Sequence, residues 1–363
     1  MYIVDYTMEL YGRYERPITS FSLFFGFIFD LLTVTRLDAA WTSVYIVAHI
    51  ILIGVFITII HRHRRYRDDE KDPSKPHFWY VNILQFLFGG ILSTFLISYF
   101  RSADIFVTWP FIVILGAAFI SNEVLKRHYI RLSFQISLYY LSAYSFLIFI
   151  IPILLRRIGL GVFLLSGLVS LVFISAFIYI LFSLIKDKFS HSKKSLILLI
   201  GGIFVFINIL YLTNLIPPIP LSLKDAGVYH SIERDSAGNY IAKYEDRGTL
   251  QYFEFYKTFH QVYGEPVYAY SAIFSPSNLN TSVIHEWKHY NEKTGRWDIK
   301  NTVDLQVIGG RGGGFRTYSV RNNLDQGKWM VNVLTTRGQL VGRLRFKIIN
   351  VGATPELTQE VKK

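Results

Sequence analysis

Residues 195–220, SLILLIGGIFVFINILYLTNLIPPIP, divide this sequence into two unlike halves. The apolar run within them is long enough to cross a bilayer, which takes about 20 helical residues. Further apolar runs with basic connectors precede it, and alternating polar and apolar residues with Gly, Asn and Asp turns follow it. The sequence therefore predicts an α-helical transmembrane bundle followed by an all-β domain.

The composition also favours a membrane location. The 363 residues are 51% hydrophobic and 18% charged, with a mean hydropathy of +0.31, which is too apolar for an ordinary soluble protein. The net charge of +12 is accompanied by basic clusters between the apolar runs, as expected beside anionic lipid. We therefore expect the lipid bilayer, and no nucleic acid, as a partner. The sequence contains no cysteine, which excludes disulfides and thiolate metal sites.

Seven apolar runs in the first half are long enough to be transmembrane helices. Asp30 interrupts the first run, and Pro110 shortens the fourth. The N-terminal segment has no small-residue cleavage site, which predicts that the first run stays in the membrane rather than being removed as a signal peptide. The predicted spans cover about 18–37, 40–60, 78–100, 105–124, 132–155, 159–184 and 195–216.

The connectors between these spans predict the topology. Of the Lys and Arg residues in the N-terminal segment and in the connectors between spans, fifteen fall on the side that contains the basic loop 61–77, and four fall on the other side. Cytoplasmic loops carry the excess of basic residues, so this distribution predicts a cytoplasmic N-terminus and an extracytoplasmic C-terminal domain. In a bacterium, this corresponds to the inner membrane with a periplasmic or extracellular domain.

Three polar side chains lie inside the predicted spans, where hydrocarbon offers no hydrogen-bond partner. Asp30, His49 and Asn208 are each predicted about 10–12 Å below the outer surface, at 1.5 Å per helical residue. Two interpretations remain open: a polar cluster that fixes the helix register, or a proton or ligand site that opens outward. Asp30 is expected either to remain protonated or to have a partner on a neighbouring helix. His49 is the best candidate partner, followed by Arg36 and Arg101 near the outer ends of their spans.

Three prolines follow the seventh span. Pro217, Pro218 and Pro220 lack amide hydrogens and disfavour helix before them, so the chain is predicted to leave the membrane as a stiff linker. Short strands separated by turn residues then predict a β-sandwich. The predicted domains are a seven-span domain at 1–216, a Pro-rich linker at 217–226, a β-sandwich at 227–350 and a polar tail at 351–363.

The second half resembles a known bacterial family. Five segments carry the resemblance in a consistent order: VYHSIERDSAGNY, GEPVYAYSAIFSP, HEWKHYNEKTGRW, GGRGGGFRTYS and GKWMVNVLTTRGQLVGRLRF. Together they resemble a bacterial domain-of-unknown-function family, an extracytoplasmic β-module often found behind a multi-pass membrane region. The resemblance covers about 227–350 and implies an architecture without implying catalytic residues. The membrane half resembles no transporter or receptor family.

Residues 285–289, HEWKH, match the HExxH signature of zinc peptidases. In that chemistry, His285 and His289 share a metal ion one helical turn apart, and Glu286 activates water. The preceding β-branched residues and the turn at 292–295 instead predict a strand, in which the two histidines stand about 13 Å apart. A strand cannot bring both imidazoles to one zinc ion, so no metal or cofactor is predicted.

Two further patterns resemble ligand sites. The run GGRGGG at 309–314 lacks the Gly-Lys-Ser/Thr ending of a phosphate-binding loop and predicts a loop or bulge between strands. Aromatic side chains could stack on a sugar ring, although strand aromatics at period two usually face a core. The candidate ligand-facing side chains are Tyr229, His230, Trp287, Trp297 and Tyr318.

The leading functional prediction is a non-catalytic binding or scaffolding module that the membrane domain holds in the bacterial cell envelope. Its expected partner is an envelope protein, a glycan or a lipid headgroup. A transporter or sensor that uses Asp30, His49 and Asn208 is the first alternative. A membrane-anchored zinc peptidase that uses HEWKH is the second.

Overall fold

The computed structural model describes residues 27–28, 30–32, 40–66, 75–102, 105–124, 131–185, 193–218, 220–236, 238–245, 255–276, 279, 281–309 and 313–362. The chain divides into two compact units, with the helices largely in the first and the described strands in the second. Each unit is treated by itself below.

Six long helices follow one another in the described part of the first half, after short helical stretches at 27–28 and 30–32. Apolar runs of this length form helices in a bilayer because a helix satisfies its backbone hydrogen bonds internally. The helices are α1 (Ala40–Tyr66), α2 (Lys75–Ser102), α3 (Ile105–Val124), α4 (Leu132–Leu155), α5 (Leu160–Ile185) and α6 (Lys193–Leu212).

Five of these helices are long and apolar enough to cross a bilayer, which identifies a membrane protein. They are α1, α2, α4, α5 and α6. The apolar part of α3 is shorter and covers Trp109–Ser121, with Pro110 near its start. The first predicted span, 18–37, falls largely outside the described residues.

Helices α2 and α4 form the centre of the helical unit. In their most apolar stretches 72% and 61% of the residues are buried, against 22% for α5 and for α6. Between α1 and α2, a Cβ atom at Gly90 would lie 2.8 Å from the Tyr45 hydroxyl, so this glycine allows close approach of the two helices. No described neighbour lies within 4 Å of a Cβ at Gly201 or Gly202 on α6, so these two glycines do not mark a close approach between helices.

The last helix ends earlier than the prolines predicted. α6 stops at Leu212, and Asn214 adopts a left-handed φ of 58°. The amide of Leu215 then donates to the Leu210 carbonyl at 2.8 Å, and the amide of Asn214 donates to the Tyr211 carbonyl at 3.1 Å. These two bonds satisfy helix-terminal carbonyls, so the helix is already capped before the proline segment begins.

Eleven strands in the described part of the second half form three sheets. The sheet orders are β1-β5-β8, β4-β10-β9-β6-β7 and β11-β3-β2, and β4 with β10 is the parallel pair. The strands are β1 (Ser222–Tyr229), β2 (Ser231–Arg234), β3 (Tyr240–Tyr244), β4 (Lys257–Gln261), β5 (Val267–Phe274), β6 (Thr281–Asn291), β7 (Arg296–Val307), β8 (Phe315–Arg321), β9 (Gly327–Thr335), β10 (Leu340–Asn350) and β11 (Thr358–Lys362).

The sheet β1-β5-β8 contributes side chains to cores on both of its faces. On β5, Val267, Ala269 and Ile273 pack with residues of the five-stranded sheet. The alternate residues Tyr270 and Ala272 pack with residues of β2 and β3. Successive side chains of a strand point to opposite faces, so β5 is almost continuously buried instead of alternating between core and solvent.

Two strands begin where the sequence predicted irregular structure. β1 starts at Ser222, inside the segment predicted as linker, and β11 lies within the segment predicted as a polar tail. β11 pairs antiparallel with β3 through five register pairs. Its sequence, TQEVK, lacks the apolar alternation that predicts a strand. Four of its five residues are exposed in the structure.

Candidate binding face of the five-stranded sheet

The five-stranded sheet has one apolar face and one polar face. On β6, Val283, His285 and Trp287 point into the core and are fully buried. The alternate residues Glu286 and Lys288 point to the opposite face, which we call the outer face. On this face Lys328 and Lys347 are exposed, whereas Asn332 of the central strand β9 is buried.

One row of side chains crosses the outer face over four neighbouring strands. Trp297 of β7 pairs with Tyr290 of β6, and their ring centroids are 5.3 Å apart. The ammonium of Lys328 on β9 lies 5.5 Å from the Tyr290 ring centroid. Lys347 of β10 is the register partner of Lys328. The row therefore runs from an aromatic pair to a pair of cations, and we call these four residues the aromatic–lysine row.

The two lysines of this row are exposed. Among the described residues, neither Lys328 nor Lys347 has a carboxylate partner. Lys328 also lies 5.6 Å from the ring centroid of Tyr256, which precedes β4. Aromatic faces attract a cation but leave its charge in place, so this end of the sheet presents positive charge to solvent.

A polar network lies beside the row on the same face. Lys288 forms an ion pair with Glu286 at 2.8 Å. The Asn332 amide donates to the Glu286 carboxylate at 3.0 Å, and Arg343 Nε donates to the Asn332 carbonyl oxygen at 2.7 Å. These bonds tie β6, β9 and β10 together and neutralise Glu286. They fix the register of these three strands. Lys328 and Lys347 take no part in these bonds.

The HEWKH segment lies on β6, and its two histidines have separate surroundings. His285 is fully buried, and its ring nitrogens are each hydrogen-bonded at 2.9 Å to a serine hydroxyl, one from Ser271 and one from Ser319. Burial lowers the pKa of His285 to about 4. His289 instead lies against Trp329, with ring centroids 4.7 Å apart.

This arrangement does not suit a shared metal ion. Two residues four positions apart on a strand are about 13 Å apart, several times the length of a zinc–nitrogen bond. No group of three His, Cys, Asp or Glu side chains able to hold a metal ion occurs among the described residues. The HEWKH segment therefore has a structural role in the sheet, with His285 as a neutral, hydrogen-bonded core residue.

The aromatic candidates from the sequence divide by burial. Trp287 and Tyr229 are core residues, with 0% and 5% exposure, so their rings do not face a ligand. His230 is also buried, stacks on Phe259 with centroids 4.2 Å apart and is hydrogen-bonded to Glu245 at 3.1 Å. Tyr318 packs edge-on against a neighbouring tyrosine, with centroids 5.8 Å apart. Trp297 differs because it lies in the aromatic–lysine row.

The intramembrane polar residues fall into two separate groups. The Asp30 carboxyl lies beside the Ser93 hydroxyl, without the geometry of a full hydrogen bond, and within electrostatic range of His49. His49 donates through Nδ1 to the Tyr45 carbonyl at 2.9 Å. Asn208 instead donates to the Tyr144 hydroxyl at 3.2 Å, between α6 and α4. The structure thus places Asp30 within electrostatic range of His49 and gives Asn208 a different partner, Tyr144.

Sequence reasoning missed the lysines of the outer face. Lys328 and Lys347 lie on different strands, and each looks like an ordinary solvent-facing strand residue. Their alternation with Trp329 and Phe346, both buried, does indicate that they point outward. Only the register between β9 and β10 places them side by side.

Comparisons with known proteins give one informative match. A search of curated proteins finds no match to this chain. A solved structure of the Pseudomonas fluorescens alkylpurine DNA glycosylase AlkC, bound to DNA containing an abasic site analog, aligns over 86% of this chain and 99% of that chain. Its sequence identity is 8% and its TM-score is 0.23, values that support no inference about fold or activity.

The informative match covers four of the five strands of the sheet that carries the outer face, and not β4. Residues 280–348 contain β6, β7 and β9 and nearly all of β10. These residues match the family model described as "Protein of unknown function (DUF2914)". The C-terminal β-module of this chain therefore matches the domain-of-unknown-function type that its sequence resembles.

Proposed function

We propose that this protein is a non-catalytic binding protein of the bacterial cell envelope, anchored in the inner membrane, whose β-domain binds an acidic glycan on its outer face. The observation that carries the proposal is the aromatic–lysine row, in which Trp297 and Tyr290 adjoin two lysines without carboxylate partners among the described residues. Aromatic rings stack on the apolar faces of sugars, and ammonium groups pair with their acidic substituents.

The proposed location follows from the basic residues of the connectors. Among the Lys and Arg residues of the N-terminal segment and the connectors between spans, seven spans with a cytoplasmic N-terminus place fifteen inside and four outside. The β-domain then faces the periplasm or the cell exterior, where envelope glycans are found. A scaffold role needs only that the membrane domain keep the β-domain at the envelope.

The proposed architecture of the β-domain is a β-sandwich with a third, smaller sheet. The support comes from two core clusters that contain side chains from both β1-β5-β8 and the five-stranded sheet. Such packing buries one face of the five-stranded sheet and leaves the other for recognition. It accounts for the contrast between the inner and outer faces.

Binding of the purified, detergent-solubilised full-length protein to an acidic polysaccharide tests the proposal. The probe is sodium alginate, and a neutral dextran of matched length is the comparison. We expect alginate to bind and dextran not to bind, with affinity falling as salt concentration rises, because exposed charges are screened. Neutralisation in Lys328→Gln or Lys347→Gln should weaken alginate binding about fivefold, since an exposed ion pair contributes up to about 1 kcal/mol.

A matched control separates the row from general positive charge. Lys243 lies on β3, outside the five-stranded sheet, and Lys243→Gln removes the same charge. This control should leave alginate affinity unchanged, whereas Trp297→Ala should weaken it. Equal loss in Lys243→Gln and Lys347→Gln would contradict the proposal. Binding to vesicles that contain phosphatidylglycerol, without binding to alginate, would identify a lipid headgroup instead.

A second candidate function uses the helical unit as a proton-coupled transporter or sensor. The observation that favours it is the proximity of Asp30 to His49 within an apolar helical unit. Ionisable residues in spans commonly mark proton or substrate paths. Proteoliposomes with an internal pH dye should then show proton flux that Asp30→Asn abolishes. An unchanged flux in Asp30→Asn would remove this candidate. The variant Asn208→Ala tests whether Asn208, the third polar residue predicted inside the spans, contributes to the proton flux.

A further inference from the structure

Lys362, the last residue of β11, is a buried cation in a strand that is otherwise exposed. Its side chain is 9% exposed, whereas the four preceding residues of β11 face solvent. Its ammonium pairs at 2.8 Å with Asp225 of β1 and at 2.8 Å with Glu360. The rings of Tyr229 and Tyr270 lie 5.5 Å and 5.8 Å from it, measured to their centroids.

The surface that receives Lys362 is built for a cation. Burial alone would lower the pKa of Lys362, but hydrogen bonds to Asp225, Glu360 and Tyr229 outweigh burial and raise the pKa above its usual value. Lysine is rarely buried without a paired charge. Asp225, Tyr229 and Tyr270, which come from β1 and β5, supply one negative charge and two aromatic faces, and we call these three residues the lysine cage.

The backbone of β11 is held in an equally specific way. It pairs antiparallel with β3 from Thr358↔Tyr244 to Lys362↔Tyr240. The Arg316 guanidinium donates to the Lys362 carbonyl. Backbone pairing sets the register, and the lysine cage accepts one side chain, so the site recognises an extended strand with a lysine at one position.

Little else keeps β11 with its own chain. β11 is at the edge of its sheet, so it can leave without breaking any other strand pair. The connecting residues 351–357 are largely exposed, and seven extended residues span roughly 23 Å. Thr354 makes a hydrogen bond of 3.1 Å to Glu265, an exposed contact that water can replace. A copy of the same strand from another molecule would form identical contacts.

We propose that β11 is exchanged between two copies of this chain, so that Lys362 of one copy fills the lysine cage of the other. Exchange of an identical element costs little because every contact is reproduced. Two copies anchored in one membrane also meet at a high effective concentration. This proposal concerns β1, β3, β5 and β11 and does not depend on the ligand of the outer face.

Disulfide trapping in the full-length protein tests the exchange. Because the sequence contains no cysteine, every disulfide must join two introduced cysteines. Val361 and Ile241 are register partners across β11 and β3. One copy carries Val361→Cys and a first tag, and a second copy carries Ile241→Cys and a second tag. The two are produced together in the same cells and oxidised in the membrane. Exchange predicts a disulfide-linked dimer that carries both tags.

Three controls define the result. A chain with both cysteines should form the disulfide within one chain or between two, which verifies the register. Glu233→Cys in place of Ile241→Cys should give no dimer, because Glu233 pairs with β3 from the β2 side. Lys362→Met in the strand-donating copy should reduce the mixed dimer at least severalfold. Cross-linking confined to single chains, or none in any combination, would overturn the proposal.

Discussion

Lys328 and Lys347 occupy directly paired positions on β9 and β10, so two ammonium groups project side by side from the outer face. Like charges opposite each other in a sheet are destabilising, by about 0.2–1 kcal/mol. A pair of exposed cations with no described carboxylate partner is expected where an external anion binds. The arrangement therefore predicts a conflict between the stability of the β-domain and the binding function proposed for it.

The first prediction tests that conflict. Lys347→Glu replaces the repulsion with a cross-strand ion pair, and we expect it to stabilise the protein by about 0.5 kcal/mol. The same change should weaken alginate binding about tenfold, because it removes one attraction and adds one repulsion, each worth up to about 1 kcal/mol. Thermal unfolding and alginate titration of the same preparation give both values. A destabilised variant with unchanged binding would contradict the assigned role of the row.

The second prediction concerns the buried His285. Its pKa is about 4 in the folded protein, below the ordinary value of about 6.5. The unfolded chain therefore binds more protons between these pH values, and the stabilisation is complete above about pH 6.5 and lost as the pH falls toward 4. The full loss amounts to about 3 kcal/mol. The melting temperature of the wild type should therefore fall more steeply from pH 7 to pH 4 than that of His285→Gln.

His285→Gln retains hydrogen-bonding groups for Ser271 and Ser319 but cannot titrate. Other acidic groups titrate equally in both proteins, so the difference between the two profiles isolates His285. Parallel profiles would show that His285 does not titrate as proposed. Stoichiometric zinc in the wild type, lost in His285→Ala and in His289→Ala, would instead revive the peptidase alternative.

The third prediction addresses Asp30 and His49. Removing one partner of a buried pair leaves the other without compensation, so Asp30→Ala should destabilise the detergent-solubilised protein more than Asp30→Asn. Adding His49→Ala to Asp30→Ala should recover part of the loss, with a coupling of about 1–3 kcal/mol. Thermal melts of the two single variants and the double variant measure the coupling. Strict additivity would remove the pairing and weaken the case for a transport site.

The fourth prediction concerns topology. A reporter fused after Pro76 should behave as cytoplasmic, because it follows the most basic connector. A reporter fused at Lys363 should behave as periplasmic. Alkaline phosphatase, which is active outside, and green fluorescent protein, which is fluorescent inside, give opposite signals at the two sites. Both sites on one side of the membrane would rule out the seven-span arrangement.

The membrane helices could be predicted because hydrocarbon imposes a local rule. An apolar run of about 20 residues must satisfy its own backbone, so composition and length alone locate α1, α2, α4, α5 and α6. The end of α6 was less accurate, because the sequence pointed to the prolines whereas Asn214 caps the helix. Asparagine adopts the left-handed conformation less often than glycine, so Asn214 is a weaker signal in the sequence for the end of a helix.

The candidate site was less predictable because it depends on register. HEWKH could be placed on a strand from its neighbours and its turn. His285 and Trp287 both hydrogen-bond to Ser319, which belongs to β8 and lies more than 30 residues further along the chain. The aromatic–lysine row joins four strands whose pairing is fixed by their whole lengths, and a shift of one residue would turn each side chain to the other face.

The sequence by itself determined the division of this protein into apolar helices and a β-module, since hydrophobic period and length act locally. The tertiary structure alone decided that Lys328 and Lys347 are neighbours, that Asn208 joins Tyr144 rather than Asp30, and that the polar residues 358–362 form a strand. In each case the deciding contact joins residues far apart in the chain. Lys362 shows the reason most clearly, because a lysine can be buried only after β1 and β5 have placed Asp225, Tyr229 and Tyr270 around one position.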